Sequence, residues 1–147
     1  MSPHGIPSVF IREDNLFPAA LIFEQANGNR LDQNDRLLIE KSGLSHCSAE
    51  RLEAALIDAL NDGPPLSYRS TAYWALSKRF NRKLIPAFKS WMNRELQEQD
   101  GGALYQLLIA LDNLGEPVFA DDRMGSYSAT DTGLNIRDAK DYLDNHP

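Results

Sequence analysis

The strongest constraint on the fold is the stretch from Ser67 to Gln97, where two segments of helical period flank a short polar turn. In the first segment Ala72, Ala75, Leu76 and Arg79 recur at i, i+3, i+4 and i+7, and Tyr73 and Phe80 widen the stripe. Alanines on that face let a neighbouring helix approach closely. In the second segment Leu84, Ile85, Phe88, Trp91, Met92 and Leu96 repeat at helical spacing, while Lys89, Asn93, Glu95 and Gln97 fall mostly on the other side. The spacing predicts two antiparallel amphipathic helices. Such a hairpin cannot bury both apolar faces alone, so further helices must stack on it, and the rest of the chain reads as copies or caps of this unit.

The flanking sequence supplies those helices. Met1 to Asp14 holds Pro3, Gly5 and Pro7 beside a short apolar cluster, Val9, Phe10 and Ile11, and reads as irregular chain. Asn15 stands as a cap for a helix over 16–27, with Pro18 in its first turn and Gly28 past its end. That helix is apolar nearly all round, which predicts burial. A helix over 33–42 follows, capped by Asp32 and stopped by Gly43. After Ser48, Leu52, Ala55, Leu56, Ala59 and Leu60 mark a core face that Gly63, Pro64 and Pro65 end. Beyond the central hairpin, Gly101 and Gly102 read as a break before a helix over 103–114 with Leu104, Leu107, Leu108 and Leu111 inward. The final helix starts near Gly133 and runs to about Asn145, with Leu134, Ile136, Ala139, Tyr142 and Leu143 as its apolar set. Between these two helices, residues 116–132 carry no sustained period. A loop that long inside a compact domain is usually functional or disordered.

A chain of 147 residues fits one domain. Its longest apolar stretch, near Phe17 to Phe23, is far shorter than a membrane span, and no signal peptide is evident. Cys47 is the sole cysteine, which excludes an internal disulfide and fits a reducing compartment, with the cytoplasm as default. The net charge of −6 hides a partition. Residues 1–62 carry net −5, residues 63–94 carry seven basic groups and no acidic one, and residues 95–147 carry net −8. Internal pairing of neighbouring helices explains this, as does an acidic surface that attracts a basic partner.

Tyr73-Trp74-Ala75-Leu76 and Leu108-Ile109-Ala110-Leu111 lie 35 residues apart, each before a short turn and another helix. A period in that range signals stacked helical pairs, with a plain bundle as the alternative. The hairpin resembles a HEAT-like repeat, whose first helix reads Arg, two residues, Ala, two residues, Ala-Leu and whose second carries an early proline. Arg69, Ala72, Ala75, Leu76 and Pro86 stand in that pattern, while Ser77 replaces the usual glycine. The resemblance implies an all-α fold of stacked antiparallel hairpins, a right-handed solenoid of about three units. The segments AYWALSKRFNRKLIPAF, YQLLIALDNLGEPVF and LNIRDAKDYL are similar to the small HEAT-like immunity proteins of bacterial polymorphic toxin systems, including contact-dependent inhibition. That likeness implies a protein that binds and neutralises a cognate toxin domain, with no catalytic residues to carry across.

The residues themselves carry no catalytic or metal constellation. His4, His46 and His146 are scattered, and only His46 neighbours Cys47, without zinc-type spacing. They read as a turn residue and a small buried thiol. Asp131-Thr132-Gly133 spells an aspartic protease triplet, but in an all-helical chain Asp131 or Thr132 is expected to cap the last helix. Asp121 and Asp122 lack the spacing of a calcium loop, and no phosphate-cradling glycine motif occurs. No cofactor is expected. The expected partner surface is Asp112, Glu116, Asp121, Asp122, Arg123 and Tyr127, where carboxylates engage a basic domain and tyrosine supplies rigid contact area. Trp74, Trp91 and Tyr105 read as core. Two alternatives stand beside toxin binding: a scaffold or adaptor, and a nucleic-acid binder using Arg69, Lys78, Arg79, Arg82, Lys83, Lys89 and Arg94 on phosphates.

Overall fold

The computed structural model describes residues 11–147, and every regular element among them is helical, so the all-α class holds. The helices are α1 (Leu16–Ala26), α2 (Gln33–Ser42), α3 (Ala49–Asn61), α4 (Leu66–Ser77), α5 (Ile85–Glu98), α6 (Gly101–Asn113) and α7 (Thr132–Asn145). Short 3-10 turns cover Glu13–Asn15, Arg82–Leu84 and Asp121–Arg123. Pro3, His4, Gly5, Pro7, Val9 and Phe10 of the expected irregular segment lie outside the described residues. The chain divides between Arg79 and Phe80 into two compact units. That division falls in the turn of the expected central hairpin: α4 packs on α1 and α3, and α5 on α6 and α7. Ala72 and Ala75 are buried on α4, whose neighbours are α1 and α3.

In the first unit the caps behave largely as the residue types require. Asp32 accepts from the Asp35 amide at 2.8 Å and Ser48 from the Arg51 amide at 3.2 Å, while Gly43 closes α2 at φ 79°. Asn15 departs from the expectation. Its side chain makes no cap bond and instead donates to the Ser42 carbonyl at 3.2 Å, tying the head of α1 to the tail of α2, so these helices are antiparallel. Helices α1 and α4 run parallel. At their N-terminal ends Tyr68 donates its hydroxyl to the Ile11 carbonyl (2.6 Å) and Ser67 to Glu13 (3.0 Å). At their C-terminal ends Asn27 donates to the Lys78 carbonyl (2.6 Å), and Lys78 pairs with Glu24 (3.8 Å). Arg79 reaches back to Glu50 and Glu53 near the start of α3, which fixes α3 antiparallel to α4. Leu16, Phe23, Leu52, Leu56, Leu60, Tyr73 and Leu76 fill the core between them. Each such aliphatic or aromatic side chain contributes about 1.5–3 kcal/mol of burial.

In the second unit Asn81 accepts from the Lys83 amide at 3.1 Å and Pro86 sits in the first turn of α5. Gln99, at φ 55°, ends α5, and Asp100 caps α6 through the Ala103 amide at 2.8 Å. The tight turn makes α5 and α6 antiparallel. Gly101 and Gly102 belong to the first turn of α6, not to a break. A Cβ on Gly101 would stand 2.7 Å from the Thr132 Cα, so the glycine lets the heads of α6 and α7 touch. Asn135 of α7 also donates to the Gly101 carbonyl at 3.1 Å, while Lys89 near the head of α5 donates to the His146 carbonyl past the tail of α7 at 2.8 Å. Helix α7 is therefore parallel to α6 and antiparallel to α5. Parallel neighbours need a return chain, here spanning an α6 of 13 residues, roughly 20 Å. That geometry accounts for the aperiodic segment after Gly115, and it departs from simple alternation of antiparallel hairpins at α6 and α7.

Candidate functional site

The return segment from Leu114 to Asp131 is anchored rather than loose, and a single arginine explains how. The 3-10 turn Asp121–Arg123 is followed by Met124 at φ 53° and Gly125 at φ 84°, two consecutive left-handed residues that reverse the chain. The reversal turns Arg123 inward while its neighbours stay outside. The Arg123 side chain is 0% exposed, its Nη2 donates to Asn135 Oδ1 at 2.6 Å, and its Nε lies 3.4 Å from Asp138 Oδ2. The guanidinium also sits over Phe119 (5.1 Å) and Tyr127 (5.4 Å), whose rings meet edge to face at 5.1 Å. Arg123 is thus withdrawn from the expected partner surface and holds the segment from within.

Helix α7 supplies the other half of the anchor. Asn135, Asp138, Ala139 and Tyr142 are buried at i, i+3, i+4 and i+7, so two polar residues occupy its inward stripe. Asn135 is fully buried and satisfies three groups: the Gly101 carbonyl, the Ser128 carbonyl at 3.0 Å, and Arg123. The Asp138 carboxylate takes hydrogen bonds from the Ala120 amide (3.3 Å) and from Arg137 Nε (3.1 Å), and Arg137 Nη2 lies 3.0 Å away. Arg137 in turn grips Asp122 with two bonds of 2.7 and 3.0 Å. That outer pair is largely exposed and screened by solvent, so it adds little. The buried contacts therefore dominate the placement of the segment. The expected Asp131 cap is absent, since its side chain makes no capping bond to α7.

Glu116 is also committed. It accepts from the Tyr142 hydroxyl at 2.7 Å and lies 3.5 Å from Arg82, whose guanidinium donates to the Leu114 carbonyl at the end of α6. The Tyr142 hydrogen bond holds the Glu116 carboxyl below its ordinary pKa; burial opposes it, and Arg82 and Lys89 add to the lowering. Burial first, and the Glu116 bond second, push the Tyr142 hydroxyl well above its ordinary value. Of the six expected partner residues, Asp112, Asp121 and Tyr127 stand exposed and Asp122 is exposed but paired, while Glu116 is half-buried and Arg123 interior. Asp112, Asp121, Asp141 and Asp144 are exposed carboxylates without an ion pair among the described residues. Arg137, Asn135, Asp138 and Met124 were not among the expected residues. Met124 is 92% exposed at the tip of the segment, beside Tyr127 at 46%.

The basic stretch behaves differently from its charge count. Lys78 pairs with Glu24, Arg79 with Glu50 and Glu53, Arg82 with Glu116, and Arg94 with Glu95. Arg69 is buried and donates to the Pro64 carbonyl at 2.9 Å, and Lys89 lies over the Tyr142 ring. Most of these cations are consumed inside their own unit, which leaves little of the basic patch that phosphate binding requires. Trp91 is core as expected, whereas Trp74 stacks on the exposed Phe17 ring at 5.9 Å and Tyr105 meets Phe119 while half-buried. His46 is exposed and Cys47 half-buried. No helix among the described residues is long and apolar enough to cross a membrane. Comparison with known proteins returns no match, whether among family models, curated proteins or solved structures.

Proposed function

We propose that this chain is a binding protein rather than an enzyme, and that it neutralises a basic, nuclease-type toxin domain of a bacterial polymorphic toxin system. The observation that carries the reading is the contrast between spent cations and free carboxylates. The second unit has net charge −4, its Arg82, Arg94, Arg123 and Arg137 are paired internally, and Asp112, Asp121, Asp141 and Asp144 remain exposed and unpaired. Such a surface speeds encounter with a basic partner and repels nucleic acid. A return segment pinned by Arg123 and Asn135 pays little ordering entropy on binding, which favours affinity. The antiparallel pairs α3–α4 and α5–α6 fit stacked helical hairpins, but they are out of phase with the α4–α5 stretch that carries the HEAT-like resemblance, and the α6–α7 pair is parallel.

The test is growth of cells expressing the domain encoded beside this gene, with and without this chain, followed by co-purification. Rescue with a stable complex is the expected result. Persistent toxicity without a complex, or a harmless neighbour, refutes the proposal. Filter binding to duplex and single-stranded DNA and RNA at about 50 mM salt separates the nucleic-acid reading, for which no retention is expected.

A further inference from the structure

Among the described residues three that are not glycine adopt positive φ: Phe80, Gln99 and Met124. Gln99 has an ordinary reason, since it terminates α5. Met124 likewise ends an element, the 3-10 turn Asp121–Arg123, but its residue type does not favour that conformation. It sits in the left-handed region at φ 53° and ψ 43°, it is 92% exposed, and glycine would hold the same backbone without strain. An unbranched apolar side chain is thus held in solvent by an unfavourable backbone. Its neighbour on the N-terminal side is the buried Arg123, so the device that drives one side chain inward drives the next outward. Strain of this sort persists where surrounding structure enforces it, and it concentrates at ligand contacts.

We infer that Met124 is the apolar anchor of the partner surface, inserting into a notch rimmed by lysine or arginine on the bound domain. The inference rests on the binding reading above. The thioether is polarizable and unbranched, which suits it to fill an irregular pocket. Tyr127, three residues on, is exposed while its ring packs on Phe119 and under the Arg123 guanidinium, a rigid flank at low entropic cost. Asp121, three residues before Met124 in the same turn, is exposed and unpaired, and the outer carboxylate Asp122 is held by Arg137. An apolar centre with an acidic border matches a partner whose pocket is apolar and whose rim is basic.

The test titrates the immobilised domain encoded beside this gene with wild-type protein and with Met124→Gly, Met124→Asn and Asp121→Lys. Glycine removes the anchor and relieves the backbone, and asparagine removes it while tolerating the left-handed conformation. Both are expected to weaken binding about thirtyfold or more, chiefly by faster dissociation, with a melting temperature no lower than wild type. Asp121→Lys is expected to slow association instead. Binding by both Met124 variants within about threefold of wild type overturns the anchor. Loss with glycine alone assigns the effect to backbone stiffness and also overturns it. Failure of the wild-type protein to bind refutes the binding reading itself, an outcome distinct from tight binding that ignores Met124.

Discussion

Replacing Asp138 by asparagine removes one charge and almost no volume, and the consequence follows from who else holds Arg123. The guanidinium is 0% exposed, and among the described residues the Asp138 carboxylate, at 3.4 Å, is the anion paired with it. Without that charge the cation is left buried and uncompensated, a loss of about 3–5 kcal/mol for interior pairs. Arg123→Met is milder. Asp138 keeps Arg137 at 3.0 Å and the Ala120 amide at 3.3 Å, so the carboxylate stays compensated. What is lost is the bond to Asn135 and the stacking on Phe119 and Tyr127, together about 2 kcal/mol. The double variant should cost well under the sum of the two, because it removes the stranded cation. Urea unfolding followed by fluorescence measures this, in a Trp74→Phe background where Trp91 of the second unit is the sole tryptophan. A larger loss for Arg123→Met than for Asp138→Asn, or simple additivity, would refute the reasoning.

Two further predictions concern the same unit. Gly101→Ala places a methyl 2.7 Å from the Thr132 Cα, a backbone atom that cannot rotate away, and should cost about 1–3 kcal/mol in urea unfolding where Gly102→Ala, facing no close backbone, costs nothing or stabilises. The Tyr142–Glu116 bond needs a neutral phenol and an ionised carboxyl. Glu116 has a lowered pKa in the folded state, so its contribution is present above about pH 4.5 and is lost as pH falls below that value. Tyr142 has a raised pKa, so its contribution is full below about pH 10 and is lost as pH rises beyond it. Melting temperature against pH should lose part of both its acid and its alkaline limb in Tyr142→Phe; identical profiles for variant and wild type would exclude the bond as a contributor.

Much of the fold is legible from local chemistry. Asp32, Gly43, Ser48 and Pro86 mark helix ends through backbone groups within a few residues, and the structure places them as read. The parallel α6–α7 arrangement is not local. It depends on Gly101 meeting Thr132, and a pair of glycines between helices reads equally well as a break. For the same reason Ser67 to Gln97 looks like one hairpin, although its helices find their packing partners separately, α4 in α1 and α3, α5 in α6 and α7. Among the site residues, Asp121 and Tyr127 are exposed as their types suggest, while Arg123 is interior. A signal for that inversion was present. Asn135, Asp138, Ala139 and Tyr142 form a full helical stripe with two polar members, and polar groups on a buried stripe require a partner such as Arg123. An arginine at the tip of a polar loop gives no such hint on its own.

The most direct measurement is the association rate of this chain with the domain encoded beside its gene, taken from about 50 to 500 mM salt. Recognition through exposed carboxylates predicts binding whose on-rate falls at least about tenfold across that range, with a smaller fall for Asp121→Lys. Absence of binding, or an on-rate indifferent to salt and to Asp121, would contradict it.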